Sequence, residues 1–319
     1  MLTVPQDSSF NLHLARKLLL LVEKAYQEFD RSQNEDKWIW DNDTTPIILD
    51  KKVYRIRLRF GFAERFPGFD IFKTDIRELG SIWRERVPFG FIAHDEDNNE
   101  IYVAFRGTMT RAEWITDFQF RPGCEPFLND VRLGKVHRGF HKIYTRKDIG
   151  PNPLKSNGGR PSIKDCIEEA IKNCPPDAQV YVTGHSLGGA LATMSTLHIH
   201  LLEHFRKSPI LYSFASPRAG GLEFYQKFHE LECFRIANSE DIVPTLPLPS
   251  INLTSGSGAS DTASKSLKKT GLTRFRSTSI LRPDLDYHHI GEPIYFANHK
   301  GAVADNHIIP AYKEALGIA

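Results

Sequence analysis

The chain has 319 residues, 40% of them hydrophobic, which is enough for a sizeable core and unlike the composition of a disordered protein. Its 41 basic and 39 acidic residues leave a formal charge of only +2, which argues against nucleic acid or another polyanion as partner. Leu18–Val22 is too short to span a bilayer, and no basic segment leads into an apolar stretch and cleavage site, so a cytoplasmic chain is expected.

Taken in order, Phe10 to Phe29 predicts an amphipathic helix, with Leu14, Leu18, Leu21, Val22, Ala25 and Phe29 at helical spacing. Its polar face is mixed in sign, which favours packing on the domain over lying on a membrane. Tyr54 to Phe60 alternates arginine with apolar residues, the period of a half-exposed strand with Arg55, Arg57 and Arg59 on one face, expected as a solvated face rather than a phosphate-binding surface. Phe89 to Ala93 and Ile101 to Phe105 predict a hairpin of buried strands, the second running into Arg106-Gly107-Thr108. Thr110 to Phe118 predicts a short helix, and Val136 starts an element ending near Tyr144. A helix follows with Ile163, Cys166, Ile167, Ala170, Ile171 and Cys174 on one face, stopped by Pro175-Pro176. Val180 to Val182 reads as a buried strand, and Leu187, Leu191, Met194, Leu197 and Leu201 mark the next helix. Strands at Ile210 to Ala215 and Cys233 to Ala237 flank a helix around Leu222 to Phe228. This alternation predicts an α/β chain with a mainly parallel sheet covered on both faces, its functional loops at the carboxyl ends of the strands.

From Ser250 to Thr278 the composition shifts to Ser, Thr, Gly and basic residues, which predicts a long mobile loop, either solvated or touching an anionic surface. Strand character returns at Tyr287 to Gly291 and Pro293 to Phe296. The four cysteines, Cys124, Cys166, Cys174 and Cys233, show no metal-ligand spacing and are expected as reduced thiols; no metal and no cofactor is expected. With no repeat and no dividing linker, residues 1–319 read as one domain: an N-terminal helix-and-strand extension over 1–86 and a core over 87–319.

The chemistry centres on Gly184-His185-Ser186-Leu187-Gly188. Between a buried strand and a helix, G-x-S-x-G describes a sharp turn that lifts a serine hydroxyl clear of the sheet, with small neighbours letting strand and helix approach. The helix start also offers backbone N–H groups, that of Leu187 among them, to an oxyanion forming beside Ser186. A serine hydroxyl is a poor nucleophile at neutral pH and needs a histidine to take its proton and a carboxylate to orient that histidine. Asp241, just after the strand ending at Ala237, is the candidate carboxylate, with Glu240 its close competitor. The downstream histidines are His288, His289, His299 and His307, and the residues alone do not separate them.

Seven segments, read together, resemble the successive motifs of the fungal-type, or class 3, lipase family: Ala104 to Thr108, Trp114 to Asp117, Val136 to Phe140, Gly184 to Ala192, Phe214 to Arg218, Asp241 to Pro244 and Asp305 to His307. The resemblance implies an α/β-hydrolase-type fold, lipid-ester hydrolysis without a cofactor, and the set Ser186, Asp241 and His307. It implies Thr108 as an oxyanion donor together with the Leu187 backbone, and a lid over Arg111, Trp114 and Asp117. Tyr287, His289 and Gly291 match a segment that is structural in that family, which favours His307 as the base. The implied partners are a lipid or other ester substrate and a peripheral membrane or lipid-droplet surface. Alternatives within the resemblance are a phospholipase or galactolipase, an acyltransferase, and a catalytically silent lipid-binding protein on the same fold.

Overall fold

The computed structural model describes residues 2–34, 40, 43–65, 84–108, 123–147, 160–247, 287–301 and 303–318. The short helix expected over Thr110 to Phe118, with Arg111, Trp114 and Asp117, and the basic loop expected over 250–278 lie outside these residues.

Helix α1 (Leu12–Asn34) opens where Asn11 Oδ1 accepts a hydrogen bond from the Leu14 N–H at 3.0 Å, and it runs past the expected end at Phe29. Its buried stripe of Ala15, Leu18, Leu21, Val22 and Ala25 follows the apolar spacing. Strands β1 (Ile47–Leu49), β2 (Lys52–Arg65), β3 (Arg84–Asp95) and β4 (Glu100–Phe105) pair antiparallel in sequence. Then come β5 (Cys124–Pro126), β6 (Lys135–His137), α2 (Arg138–Thr145) and α3 (Ile163–Lys172). Helix α3 is started by a reciprocal cap between Ser162 and Asp165. The chain continues through β7 (Gln179–His185), α4 (Leu187–Leu201), β8 (Ile210–Phe214), β9 (Gly220–Gly221) and α5 (Leu222–Gln226). It ends with β10 (Cys233–Asn238), β11 (Tyr287–His288), β12 (Glu292–Phe296) and α6 (Ile309–Ala315).

The main sheet has the order β1-β2-β3-β4-β7-β8-β10-β12. It is antiparallel up to β4 and parallel from β4 to β12. Alternate residues of the parallel strands point to opposite cores, as their period of two requires. Val180, Val182 and Leu211 pack with α2, α3 and α4 on one face. Tyr212, Phe214, Phe234 and Ile236 pack with α1 and α6 on the other. Among the described residues, no helix is long and apolar enough to cross a membrane.

Two expectations need correction, and one feature was unforeseen. The arginines of β2 do not share one solvated face: the Arg55 side chain is 63% exposed, but that of Arg59 is 2% exposed and pairs with Glu28 of α1 at 2.7 Å. A register shift between Ile56 and Leu58 breaks the alternation and turns Arg59 inward. Helix α4 is buried almost all round rather than along one stripe, from Leu187 to Ile199, whereas Leu201 is 42% exposed. The Thr193 and Thr196 hydroxyls donate to the Gly189 and Ala192 carbonyls at 2.9 and 2.8 Å, which lets polar side chains sit in that core. A second sheet, of order β11-β9-β6-β5, was not expected at all; its strands of two or three residues are too short to show a hydrophobic period.

Candidate active site

Strand β7 delivers Ser186 to the carboxyl edge of the sheet, and α4 starts at the next residue. Ser186 has φ 58° and ψ −128°, a conformation that costs an L-residue about 1–3 kcal/mol and persists because its surroundings fix it. Its N–H donates to the Phe214 carbonyl of the neighbouring strand at 2.9 Å. The flanking glycines are needed for close approach: a Cβ on Gly184 would lie 2.2 Å from the Gly188 carbonyl oxygen, and one on Gly188 would lie 2.3 Å from that of Arg106.

Of the four downstream histidines, His307 is the one that reaches the serine. Its Nε2 lies 2.8 Å from Ser186 Oγ and its Nδ1 2.7 Å from Asp241 Oδ2. A carboxylate only accepts, so Nδ1 carries the proton and the Nε2 lone pair faces the Ser186 hydroxyl. The Asp241 side chain is fully buried and takes two further hydrogen bonds, from Tyr312 Oη at 3.0 Å and from the Val243 N–H at 2.9 Å. Burial, then the charge of Asp241, raises the Tyr312 phenol well above its ordinary value and keeps it a donor. The loop carrying His307 is pinned through Asn306, which accepts from the Lys300 N–H at 2.7 Å and donates to the Glu240 carbonyl at 3.2 Å.

The competing residues lie elsewhere. His299 is 69% exposed and stands 3.5 Å from Glu240, so these two face each other at the surface. The His288 ring packs on Tyr225. His289 is pushed down to about 3 by burial, then by Arg235, Arg218 and His288, and is held neutral.

Thr108 follows Gly107, where a Cβ would fall 2.9 Å from Ser186 Cβ, so the Arg106–Thr108 turn lies against the serine. The buried Thr108 Oγ1 has no hydrogen-bond partner among the described residues. Leu187 opens α4, where the first N–H groups have no intrahelical acceptor. Arg106, fully buried, holds the turn by donating to the Pro88 and Gly107 carbonyls at 2.8 Å each, with its guanidinium over the Phe29 and Phe89 rings.

Residue reasoning missed Arg106, Tyr312, Asn306, His185 and Tyr26. Tyr312 stands near the C-terminus and Tyr26 on α1 among apolar residues, where each reads as an ordinary core aromatic. Arg106, His185 and Asn306 each lie inside a segment of the family resemblance, which was the signal available for them.

A family model described as Lipase (class 3) matches residues 102–251. Phospholipase A1-Igamma3, chloroplastic, of Arabidopsis thaliana is 32% identical over 193 residues, covering 53% of this chain and 36% of that protein. Secreted mono- and diacylglycerol lipase 1 of Fusarium solani is 30% identical over 187 residues, covering 56% of this chain and 49% of that one. These matches thus span between 36% and 49% of the two relatives' own length. The structure of the native Rhizomucor miehei lipase propeptide complex superposes with a TM-score of 0.52 at 19% identity, covering 93% of this chain and 78% of that one. The fold is of the α/β-hydrolase type, and residues 102–251 carry the likeness to the class 3 lipase family.

Proposed function

We propose that this chain hydrolyses carboxylic esters of lipids through a covalent acyl-enzyme. The observation that carries this reading is the continuous run from Ser186 Oγ through His307 to Asp241, with steps of 2.8 and 2.7 Å, at a strained strand-to-helix turn. In this reading His307 takes the Ser186 proton as Oγ bonds to the ester carbonyl carbon. The Thr108 hydroxyl and the Leu187 N–H hold the tetrahedral oxyanion, and Asp241 steadies the imidazolium. Collapse breaks the C–O bond to the alcohol, which leaves with the proton from His307. Water, deprotonated by His307, then releases the fatty acid and restores Ser186.

The relatives named phospholipases A1 support a glycerophospholipid as substrate, and the Fusarium relative supports a neutral glyceride. The basic residues Lys265, Lys268, Lys269, Arg274 and Arg276 suit contact with an anionic lipid surface. Activity on anionic vesicles that ignores salt would remove that role. The four cysteines, none of them in a disulfide, fit a reducing compartment such as the cytoplasm. The packing of α1 on the main sheet supports residues 1–86 and 87–319 as one unit.

The test is a graded panel, from short soluble esters to triacylglycerol, phospholipid and galactolipid, given to wild type and Ser186→Ala. Turnover abolished by the substitution supports the hydrolase, and the best substrate selects among its classes. Transfer of the acyl group to an added alcohol in place of water makes it an acyltransferase. Lipid binding without turnover by either protein leaves a binding protein.

A further inference from the structure

His185, the residue before the serine, is 3% exposed, and both of its ring nitrogens are engaged. Its Nε2 lies 2.8 Å from the main-chain oxygen of His307. A carbonyl only accepts, so Nε2 carries the ring proton and donates it. Its Nδ1 lies 2.9 Å from the hydroxyl of Tyr26, on α1. If the ring is neutral, Nδ1 is an acceptor and the Tyr26 hydroxyl is its donor. The His185 ring also packs on the His307 ring, with centroids 4.8 Å apart, and meets the edges of Tyr312 at 5.7 Å and Tyr26 at 6.0 Å. The Tyr26 hydroxyl stands against Gly107 as well, 2.4 Å from where a Cβ there would be, beside the turn that presents Thr108.

Helix α1 precedes the family match over 102–251, yet it is tied firmly to the rest of the fold. Arg59 holds Glu28 with Nε 3.0 Å from both carboxylate oxygens, Phe29 lies under Arg106, and Lys313 reaches Glu23 at 3.1 Å.

We propose that Tyr26 is a positioning residue for the reaction: acting through His185, it sets the main chain and ring of His307 relative to Ser186. This rests on the acyl-enzyme reading above. Held at both nitrogens, the His185 ring anchors the base at its carbonyl. This role requires the neutral Nε2–H form, which places no second positive charge beside the imidazolium that forms during turnover. Small displacements of a base from its nucleophile are costly in rate, which makes the Tyr26 hydroxyl kinetically visible.

The experiment is a double-mutant cycle on the full chain, with Tyr26→Phe, His185→Gln and the pair, assayed on a short soluble ester. Tyr26→Phe should lower kcat about tenfold with KM within about twofold and leave the thermal midpoint within a few degrees. Phosphonylation of Ser186 by a fluorophosphonate should slow by the same factor. In the His185→Gln background, Tyr26→Phe should cost less than about twofold. Unchanged kcat in Tyr26→Phe, or an equal loss in both backgrounds, overturns the proposal. If Tyr26→Phe does not fold, nitrogen-15 histidine NMR of the wild type decides. A neutral Nε2–H ring at His185 at neutral pH supports the proposal, and any other form overturns it. An active wild type silenced by Ser186→Ala but indifferent to Tyr26→Phe sinks this inference alone. A wild type that turns over no ester removes the parent reading, and this one falls with it.

Discussion

Where β3 turns into β4, Asp95 is fully buried and closed off by Lys52 and by Asn98, whose Nδ2 and N–H lie 2.9 and 3.3 Å away. Beside it Glu100 accepts from Tyr102 and lies 3.5 Å from Lys17. At the carboxyl edge of the same sheet another buried carboxylate, Asp241, is also fully hydrogen-bonded, but its network does not close on a cation. It runs through His307 to the Ser186 hydroxyl, beside Thr108 Oγ1, which has no partner among the described residues. Positive φ occurs at both ends: Asp50, Lys51 and Asn99 adopt 50°, 68° and 53° in the turns beside Asp95, and Ser186 and Ala215 adopt 58° and 51° on adjoining strand ends here. Both ends satisfy their buried charge. A network closed on a cation ties strands together, whereas one that ends on a hydroxyl leaves a group able to react.

Substitutions at the two ends should therefore separate activity from stability. Asp241→Asn should break the comparison most sharply, lowering kcat on a soluble ester by about four orders of magnitude, because the amide lets the His307 ring settle in the wrong tautomer. Near-ultraviolet circular dichroism should stay that of the wild type. Thr108→Val should cost about two to three orders with little change in KM, as expected for a donor used on the oxyanion. Unaltered turnover there would take Thr108 out of the mechanism. Asp95→Ala should do the reverse, losing about 1–3 kcal/mol of stability in urea while kcat per folded molecule stays within about twofold.

The acid response of the closed network follows from its sign. Burial alone would raise the Asp95 carboxyl, but hydrogen bonds from Lys52 and Asn98 outweigh it and hold the group below its ordinary value. The unfolded chain then binds the proton more readily, so this stabilisation is present above the unfolded value near about 3.9 and is lost as pH falls through the folded one. The urea midpoint should fall in that acid window, and Asp95→Ala should flatten part of the fall.

Much of the fold was legible because it is written in local pattern. The apolar stripe of α1, the β3–β4 hairpin, the stop at Pro175-Pro176 and the strand–glycine–helix run around Ser186 each need only a few neighbouring residues to read. The short sheet β11-β9-β6-β5 was not legible, since no period can appear in two or three residues. The burial of Arg59 was hidden by a register shift that only the pairing of β2 with β3 reveals.

The candidate site divides along the same line. From the sequence by itself came the parallel α/β architecture, the elbow serine, two adjacent carboxylates and four histidines in the order such chemistry uses. The family resemblance already pointed to Asp241 and His307, but local pattern did not separate them from Glu240, His288, His289 and His299. The tertiary structure brings His307 to a serine 121 residues away and Asp241 to His307 at a separation of 66. It alone brought Tyr26 to His185 across 159 residues. The physical reason is that local periodicity records which face of an element is buried. Hydrogen bonds between distant side chains depend on how the sheet stacks its strand ends, and no local pattern carries that information.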